Sequence, residues 1–234
     1  MISKKSLLIL IMIILFILAG CGTKEVAALP GPTPTQKKDL IIEDAGTLTD
    51  IDGNSYPAIQ IGEQVWMGAN LLTTRAPDGE SVDYFCYNDE EGNCQIYGRL
   101  YGLDAAMHGG NEEGAQGICP DGWHIPSMDE WEVLINELGG KAAAGRALKE
   151  PGDEHWITAT SGAGGKSRMD ILPSGWFDFT LEYRGLGEGC FLRSSSAPNP
   201  SYASIWMLES QSPAIKKGDL HPDDAIPLRC IKDQ

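Results

Sequence analysis

The chemistry of Cys21 is predicted more clearly by its neighbouring residues than that of any other residue in the chain. Cys21 ends the sequence Leu-Ala-Gly-Cys at residues 18–21, which is a lipobox, the bacterial variant of the small-residue signal cleavage site. Two early lysines and an apolar run from Leu7 to Leu18 precede it. That run is shorter than the ~20 residues that a membrane-spanning helix requires. We therefore expect residues 1–20 to be removed and Cys21 to carry fatty acids. This acylation would anchor the protein stably, because two or more acyl chains suffice to hold a protein at a membrane.

Further cysteines could form disulfides, bind metal or carry redox chemistry. They are Cys86, Cys94, Cys119, Cys190 and Cys230. An exported domain can form disulfides, and because this number is odd at least one thiol is left over. A zinc site is less well supported, since Cys119 and His124 have no second close pair of ligands. Redox catalysis is also less well supported, since no Cys-x-x-Cys occurs.

Other segments resemble known sites only in part. Residues 162–167 look like a phosphate-binding loop, but Thr160 stands where the motif requires glycine, so a flexible loop is the better interpretation. Residues 88–93 and 219–224 are acidic loops whose oxygens could bind Ca²⁺, although solvated loops are the interpretation that we favour. His124 could be a base or a ligand, but we favour a local hydrogen-bonding role. No catalytic residue and no metal ligand is predicted.

The aromatic residues give the best candidates for ligand contact. The chain has 6 Trp and 7 Tyr, and exposed rings of these types can stack on sugars. Trp66, Trp123 and Trp131 lie in strongly patterned segments, where we expect them to be buried. The loop-rich second half supplies the candidate platform residues, which are Trp156, Trp176, Tyr183, Tyr202 and Trp206.

Residues 119–138 form the segment around which these candidates must be positioned. Residues 120–122, Pro-Asp-Gly, indicate a turn, and residues 123–125 should be extended because Pro126 follows them. Ser127 and Glu130 have the spacing of a capping box at the start of a helix. The apolar residues that follow recur at helical spacing up to Leu138, after which two glycines end the helix.

The remaining pattern predicts one α+β domain. Strands are expected at Thr47–Ile51, Tyr56–Ile61 and Gln64–Met67, and helices at about 96–108 and 142–149. After residue 151, short apolar pieces alternate with Gly, Ser and Pro. The candidate strands there are 156–157, 169–172, 176–177, 190–192, 205–208 and 227–231. We assign residues 21–46, which include a Pro-rich stretch, to an acylated N-terminus and tether, and residues 47–234 to the domain.

Several ordered blocks resemble the Fibrobacter succinogenes major paralogous domain family. Cys119 to Trp131, Cys-Pro-Asp-Gly-Trp-His-Ile-Pro-Ser-Met-Asp-Glu-Trp, is similar to its signature. Arg193 departs from the family pattern, which has tryptophan before the serines at 194–196. The other matching blocks are residues 61–71, 86–89, 94–101, 172–175, 193–196 and 228–233.

This resemblance implies a C-type-lectin-like fold, related to formylglycine-generating enzymes, with two main helices packed on small antiparallel sheets. The family blocks carry both cysteine pairs, which implies disulfides Cys86–Cys94 and Cys119–Cys230 and leaves Cys190 free. Formylglycine-generating enzymes use two redox-active cysteines with copper. A lone Cys190 does not supply that pair, so the resemblance favours binding over catalysis.

Charge limits the partners. Removing residues 1–20 takes away two lysines and no acid, which leaves 16 basic against 33 acidic residues and a net charge of −17. Such an acidic domain disfavours nucleic acid. From the lipobox we expect a lipoprotein of the bacterial cell envelope that faces the periplasm or the surface. We expect the outer membrane as its destination, because the residue after Cys21 is Gly22 and not the aspartate that retains some lipoproteins at the inner membrane. Its domain would bind a glycan or a protein, or be architectural; an enzyme is the alternative.

Overall fold

The computed structural model describes residues 40–158, 164–199 and 201–234. The signal segment, Cys21 and residues 21–39 of the predicted tether lie outside the described residues, as does part of the glycine-rich loop at 162–167. In the part of the chain that is described, no helix combines the length and the apolarity needed to cross a bilayer.

The described residues form a mixed α+β domain with more strand than helix. Its helices are α1 (Glu91–Tyr97), α2 (Leu103–Met107), α3 (Met128–Glu137) and α4 (Lys141–Leu148). Its strands are β1 (Ile42–Thr49), β2 (Ser55–Ile61), β3 (Gln64–Met67), β4 (Leu100–Tyr101), β5 (Trp123–His124), β6 (Ser174–Phe177), β7 (Tyr183–Leu186), β8 (Gly189–Arg193), β9 (Ala203–Glu209), β10 (Lys216–Leu220), β11 (Ile226–Pro227) and β12 (Ile231–Lys232).

The first sheet joins the two ends of the domain. Its order is β1-β2-β3-β12-β5, so the last strand lies between the opening meander and the central motif. Ile231 pairs with Trp66 of β3 on one side and with His124 of β5 on the other. The predicted meander is confirmed, but β1 begins at Ile42, five residues before the predicted start at Thr47.

The second sheet is built from the C-terminal half in the order β10-β9-β8-β6-β7. Its neighbours are antiparallel except for β6 and β8, which meet in parallel where Gly175 pairs with Cys190. A third, two-stranded sheet pairs β11 with β4.

Helix α3 forms where the sequence predicts it. The Ser127 hydroxyl accepts a hydrogen bond from the Glu130 amide and the Glu130 carboxylate accepts one from the Ser127 amide, so the capping box is present. Trp131 of α3 lies 4.4 Å from Trp66 of β3 between ring centroids. Residues of α3 and α4 share one buried cluster with Leu192 and Trp206 of the second sheet, so the helices join both sheets in a common core.

The helix predicted at 96–108 is wrong, because α1, β4 and α2 occupy that segment. Gly98 ends α1 with φ of 83° and ψ of 171°. A Cβ atom there would lie 2.4 Å from the Cβ of Asn70, so the chain passes close to the loop after β3 and turns into β4. Residues 156–157 are not a strand, and in 169–172 only Ile171 forms an isolated bridge, to Lys149.

Both predicted disulfides are present. Cys119 and Cys230 have Cα atoms 5.9 Å apart and tie the central motif to the C-terminal strand region. Cys86 and Cys94 have Cα atoms 4.9 Å apart and close the short acidic segment. Cys190 is buried and unpaired.

Candidate ligand-binding groove

The central motif supports the fold with its polar side chains. His124 shares hydrogen bonds with Asp233 through Nδ1, at 2.6 Å, and with Glu130 through Nε2, at 2.9 Å. Burial lowers the pKa of His124, but the bonds to Asp233 and Glu130 outweigh this effect, and the net shift is upward. The imidazole therefore links the C-terminus to the start of α3, which is the local role that the sequence favours.

The serines at 194–196 hold the other side of this helix start. The Ser196 hydroxyl accepts a hydrogen bond from the Met128 amide at 2.9 Å, and the Ser195 amide donates to the Pro126 carbonyl at 2.9 Å. Trp131 donates its indole N–H to the Arg193 carbonyl at 3.0 Å. Because these groups form hydrogen bonds to one another, the central motif and the segment 193–196 stabilise the fold.

Arg193 is part of the same scaffold. It is buried, and its Nη2 donates to the carbonyl oxygens of Tyr101 and Asp224 at 2.8 and 3.0 Å. Desolvation lowers the pKa of its guanidinium to about 10, which still leaves it charged at neutral pH. The cation thus ties β8 to β4 and to the segment before β11.

An open groove of about 490 Å³ lies outside this scaffold, on the second sheet. Its apolar lining comes from Ile157, Trp176, Phe191 and Leu208. Trp176 and Phe191 are half-buried neighbours in β6 and β8, with ring centroids 4.5 Å apart and planes at 79°. Ile157, 61% exposed, lies at the edge. The groove therefore offers aromatic surface beside aliphatic surface.

The strand β7 fixes the position of Trp176. Gly185 in β7 has φ of 71°, and a Cβ atom there would lie 2.5 Å from Cζ3 of the indole. Only glycine lets the backbone approach the ring this closely. The indole is thus supported by the strand, which reduces the conformational entropy that a ligand contact would cost.

A polar rim surrounds the aromatic pair. Glu188, Glu209, Gln211 and Lys216 line the groove and are exposed. Lys216 forms an ion pair with Glu209, and no ion-pair partner of Glu188 is present in the described ranges. The rim therefore combines one unbalanced carboxylate with an amide and a neutralised pair, a set that can donate to and accept from hydroxyl groups.

A buried lysine holds the rim turn. Lys149, at the end of α4, donates to the main-chain carbonyl oxygens of Glu209 and Ser212, the latter at 2.9 Å. Its ammonium also lies 4.6 Å from the ring centroid of Trp156. Burial lowers the pKa of Lys149 to about 8. Through these bonds the residues that follow β9 are fixed to α4.

The structure separates the five aromatic residues predicted as a platform. Trp156 and Trp206 are 3% and 0% exposed, so their assignment to a ligand surface is wrong. Both rings belong to the common core, where the Trp156 indole donates to the Ile171 carbonyl at 3.2 Å. Tyr183 is half-buried between Tyr87 and Phe177. Tyr202 is exposed but does not line the groove.

Trp176 thus lines the groove, and Phe191 joins it without having been predicted. The signal for Phe191 was its position between Cys190 and Leu192, which are buried. In a strand, the residue between two inward-facing residues faces the other side of the sheet.

The acidic segments considered for Ca²⁺ use several of their carboxylates within the fold. Asp224 accepts from the amides of Phe179 and His221 at 2.8 and 3.0 Å. Asp89 accepts from the Tyr183 hydroxyl, and Asp219 from the Ser204 hydroxyl.

Three clusters of metal-ligating types occur among the described residues. One contains the Cys86–Cys94 disulfide, whose sulfurs cannot serve as thiolates. Sequence reasoning missed the other two, which are Asp78, Glu80 and His108, and Glu150, Glu154 and His155. Both contain exposed carboxylates, and Asp78–His108 and Glu150–His155 are already hydrogen-bonded pairs.

Comparison with known proteins gives one family. The model of the Fibrobacter succinogenes major domain matches residues 59–232, which include the central motif, both disulfides and the groove. Neither the curated proteins nor the solved structures give a match.

Proposed function

The chain belongs to the Fibrobacter succinogenes major domain family, and we propose that it is a lipid-anchored envelope protein that binds a neutral glycan in the Trp176–Phe191 groove. The observation that carries this proposal is the supported aromatic pair with a polar rim. A sugar ring has an apolar face of C–H groups that packs on an aromatic ring, and hydroxyls that bond to the carboxylates and amides beside it.

The charge of the rim selects among glycans. Glu188 is unbalanced in the described part of the chain, and Lys216 is neutralised by Glu209. An anionic sugar would place its carboxylate or sulfate near an uncompensated negative charge. Neutral sugars avoid this repulsion, so we expect them to be preferred.

Binding without catalysis is favoured over the enzyme alternative by the state of the cysteines. A formylglycine-generating chemistry would require two reactive thiols. Four of the cysteines at 86–230 are in disulfides, and burial raises the pKa of the remaining Cys190 thiol. A fully buried neutral thiol is a poor nucleophile. A C-type-lectin-like fold, as the family resemblance implies, would accommodate such a binding domain.

The envelope location rests on the lipobox. Acylation of Cys21 would hold the domain at a bilayer, with the outer membrane as the expected destination. Cys21→Ser should abolish incorporation of a fatty-acid analogue and block signal processing. Equal labelling of wild type and Cys21→Ser would contradict the anchor.

A glycan array tests the groove with the full-length protein in detergent. We expect neutral glycans to bind and Trp176→Ala to lose at least tenfold in affinity, while Tyr202→Ala, which removes an exposed ring outside the groove, binds as wild type does. Thermal unfolding of both variants controls for misfolding. Equal loss in both variants, or preference for anionic glycans, would contradict the assignment. Binding of an envelope protein in place of glycans would favour the adhesive or architectural alternative.

A further inference from the structure

The turn between β6 and β7 presents two large apolar side chains to solvent. Phe179 and Leu181 are 57% and 76% exposed, and only one residue separates them. They lie at the tip of a hairpin, residues 178–182, that does not line the groove. This apolar tip, Phe179 and Leu181, contributes little to the core.

Hydrogen bonds hold the tip in one shape. Asp178 Oδ1 accepts from the amide and the hydroxyl of Thr180, at 2.9 and 2.6 Å, and from the Glu182 amide at 3.2 Å. Its Oδ2 accepts from the Arg184 guanidinium. The Phe179 amide donates to Asp224 at 2.8 Å. The tip is therefore ordered before it meets a partner.

The backbone conformation at position 181 is unfavourable for the leucine found there. Leu181 has φ of 66°, in the left-handed region where glycine or asparagine is favoured. Neither burial nor conformational preference accounts for leucine at this position. An exposed apolar pair on a strained, ordered turn is typical of an interaction surface.

The charges beside the tip are acidic overall among the described residues, because the one guanidinium of Arg184 bonds to both Asp178 and Glu182, while Asp224 accepts from backbone amides. Glu182 bonds to Arg184 at 2.6 Å, and Asp223 lies 3.6 Å from His221. The Phe179 ring stacks on the His221 ring, with centroids 4.9 Å apart. No cluster of cations is present there to attract an anionic surface. These features fit an uncharged or zwitterionic interface.

We propose that the apolar tip inserts into the interfacial region of a zwitterionic lipid bilayer. This proposal rests on the proposed acylation of Cys21. Twenty residues, 22–41, separate Cys21 from β1. Fully extended, they would span at most roughly 65–70 Å, so the anchor keeps the domain close to the membrane. The resulting high effective concentration lets even a weak contact by two side chains be occupied.

The test uses the acylated full-length protein in phosphatidylcholine vesicles. Leu181→Cys carries a polarity-sensitive fluorophore, and Val133→Cys, at an exposed aliphatic position of α3, is the matched control. We expect blue-shifted emission at position 181 and at least threefold stronger quenching by nitroxide lipids than at position 133. Adding Phe179→Ser should reduce this quenching.

The outcomes separate the tip from the anchor. Mass spectrometry of the N-terminus reads acylation directly, and a chain without acyl groups overturns the anchor and the tip proposal together. Acylated protein whose position 181 is quenched no more than position 133 overturns the tip proposal alone. A blue shift without lipid quenching would show that the tip docks on a second copy of the chain, and it would also overturn the proposal.

Discussion

Removal of the Cys119–Cys230 disulfide should destabilise the domain more than removal of the Cys86–Cys94 disulfide. The bridge has a sequence separation of 111, for which the chain-entropy model gives about 5 kcal/mol. The Cys86–Cys94 bridge has a separation of 8, and the same model gives about 2.5 kcal/mol. A domain of this size has a net stability of only ~5–15 kcal/mol, so the long bridge supplies a large part of it.

The local structure supports this ranking. Cys119 precedes the turn into β5, and Cys230 precedes β12, which pairs with both β3 and β5. The Cys230 carbonyl also accepts from the Met67 amide at 2.9 Å. The bridge therefore constrains the segment through which the chain end enters the first sheet.

Thermal unfolding followed by circular dichroism measures the effect. At about 2–4 °C per kcal/mol, Cys119→Ala/Cys230→Ala should lower the Tm by roughly 10–20 °C. The matched variant Cys86→Ala/Cys94→Ala should lower it by roughly 5–10 °C. Reductant should destabilise wild type and the Cys86→Ala/Cys94→Ala variant much more than the Cys119→Ala/Cys230→Ala variant. Equal losses in the two variants, or a larger loss from the short loop, would refute the reasoning.

Because folding raises the pKa of His124, the contribution of this residue to the free energy of unfolding is complete below the unfolded pKa of ~6.5 and is lost as pH rises through the folded pKa. The Tm difference between wild type and His124→Gln should therefore shrink from pH 5.5 to pH 9, and a constant difference would contradict this. Ser127→Ala should cost about 1 kcal/mol in denaturant unfolding, whereas Ser201→Ala, at an exposed site, should cost nothing measurable. Leu181→Gly should leave the free energy of unfolding unchanged or raise it by up to ~1 kcal/mol, whereas Leu192→Gly in the core should lower it by several kcal/mol; a comparable loss at both positions would show that the tip contributes to folding.

The parts of the fold that the sequence predicts are those specified by local chemistry. The capping box at Ser127 and Glu130 depends on residues three apart, and the meander of β1 to β3 depends on alternation and turn residues. The disulfides followed from the family resemblance. In each case the determining residues are close in the chain or belong to a recognised pattern.

The errors occur where contacts between distant segments decide the structure. The segment 96–108 has a helical apolar pattern, but the close approach of Gly98 to Asn70 and the pairing of β4 with β11 interrupt it. Strands β7 and β10 are rich in polar or small residues, and they gain strand structure by pairing with β6 and β9. Trp156 and Trp206 were expected at the surface because they lie in the loop-rich second half of the chain, yet the core formed by α3, α4 and the second sheet encloses both rings.

The groove could not be predicted for a related reason. Its lining combines Ile157, Trp176, the end of β9 and the start of β10, which meet only when the second sheet forms. Lys149 then fixes the rim from a different element, because its ammonium bonds to the carbonyl oxygens of Glu209 and Ser212. Only Trp176 among these residues carried a sequence signal for ligand contact.

The residues that support the fold differ from those that line the groove in where their polar atoms form hydrogen bonds. In the central motif, His124, Ser127 and Glu130 bond to one another and to Asp233, and the neighbouring Pro126 and Met128 bond to the segment 194–196. Substitution of these residues should therefore change stability first. Phe191, Glu188 and Gln211, which face the groove, lie outside the blocks that identify the family. Substitutions at these positions would leave the scaffold intact, because their side chains contribute few of its internal bonds. Under the proposed function, ligand preference could therefore change through the groove while the disulfides, the capping box and the His124 link keep the fold unchanged.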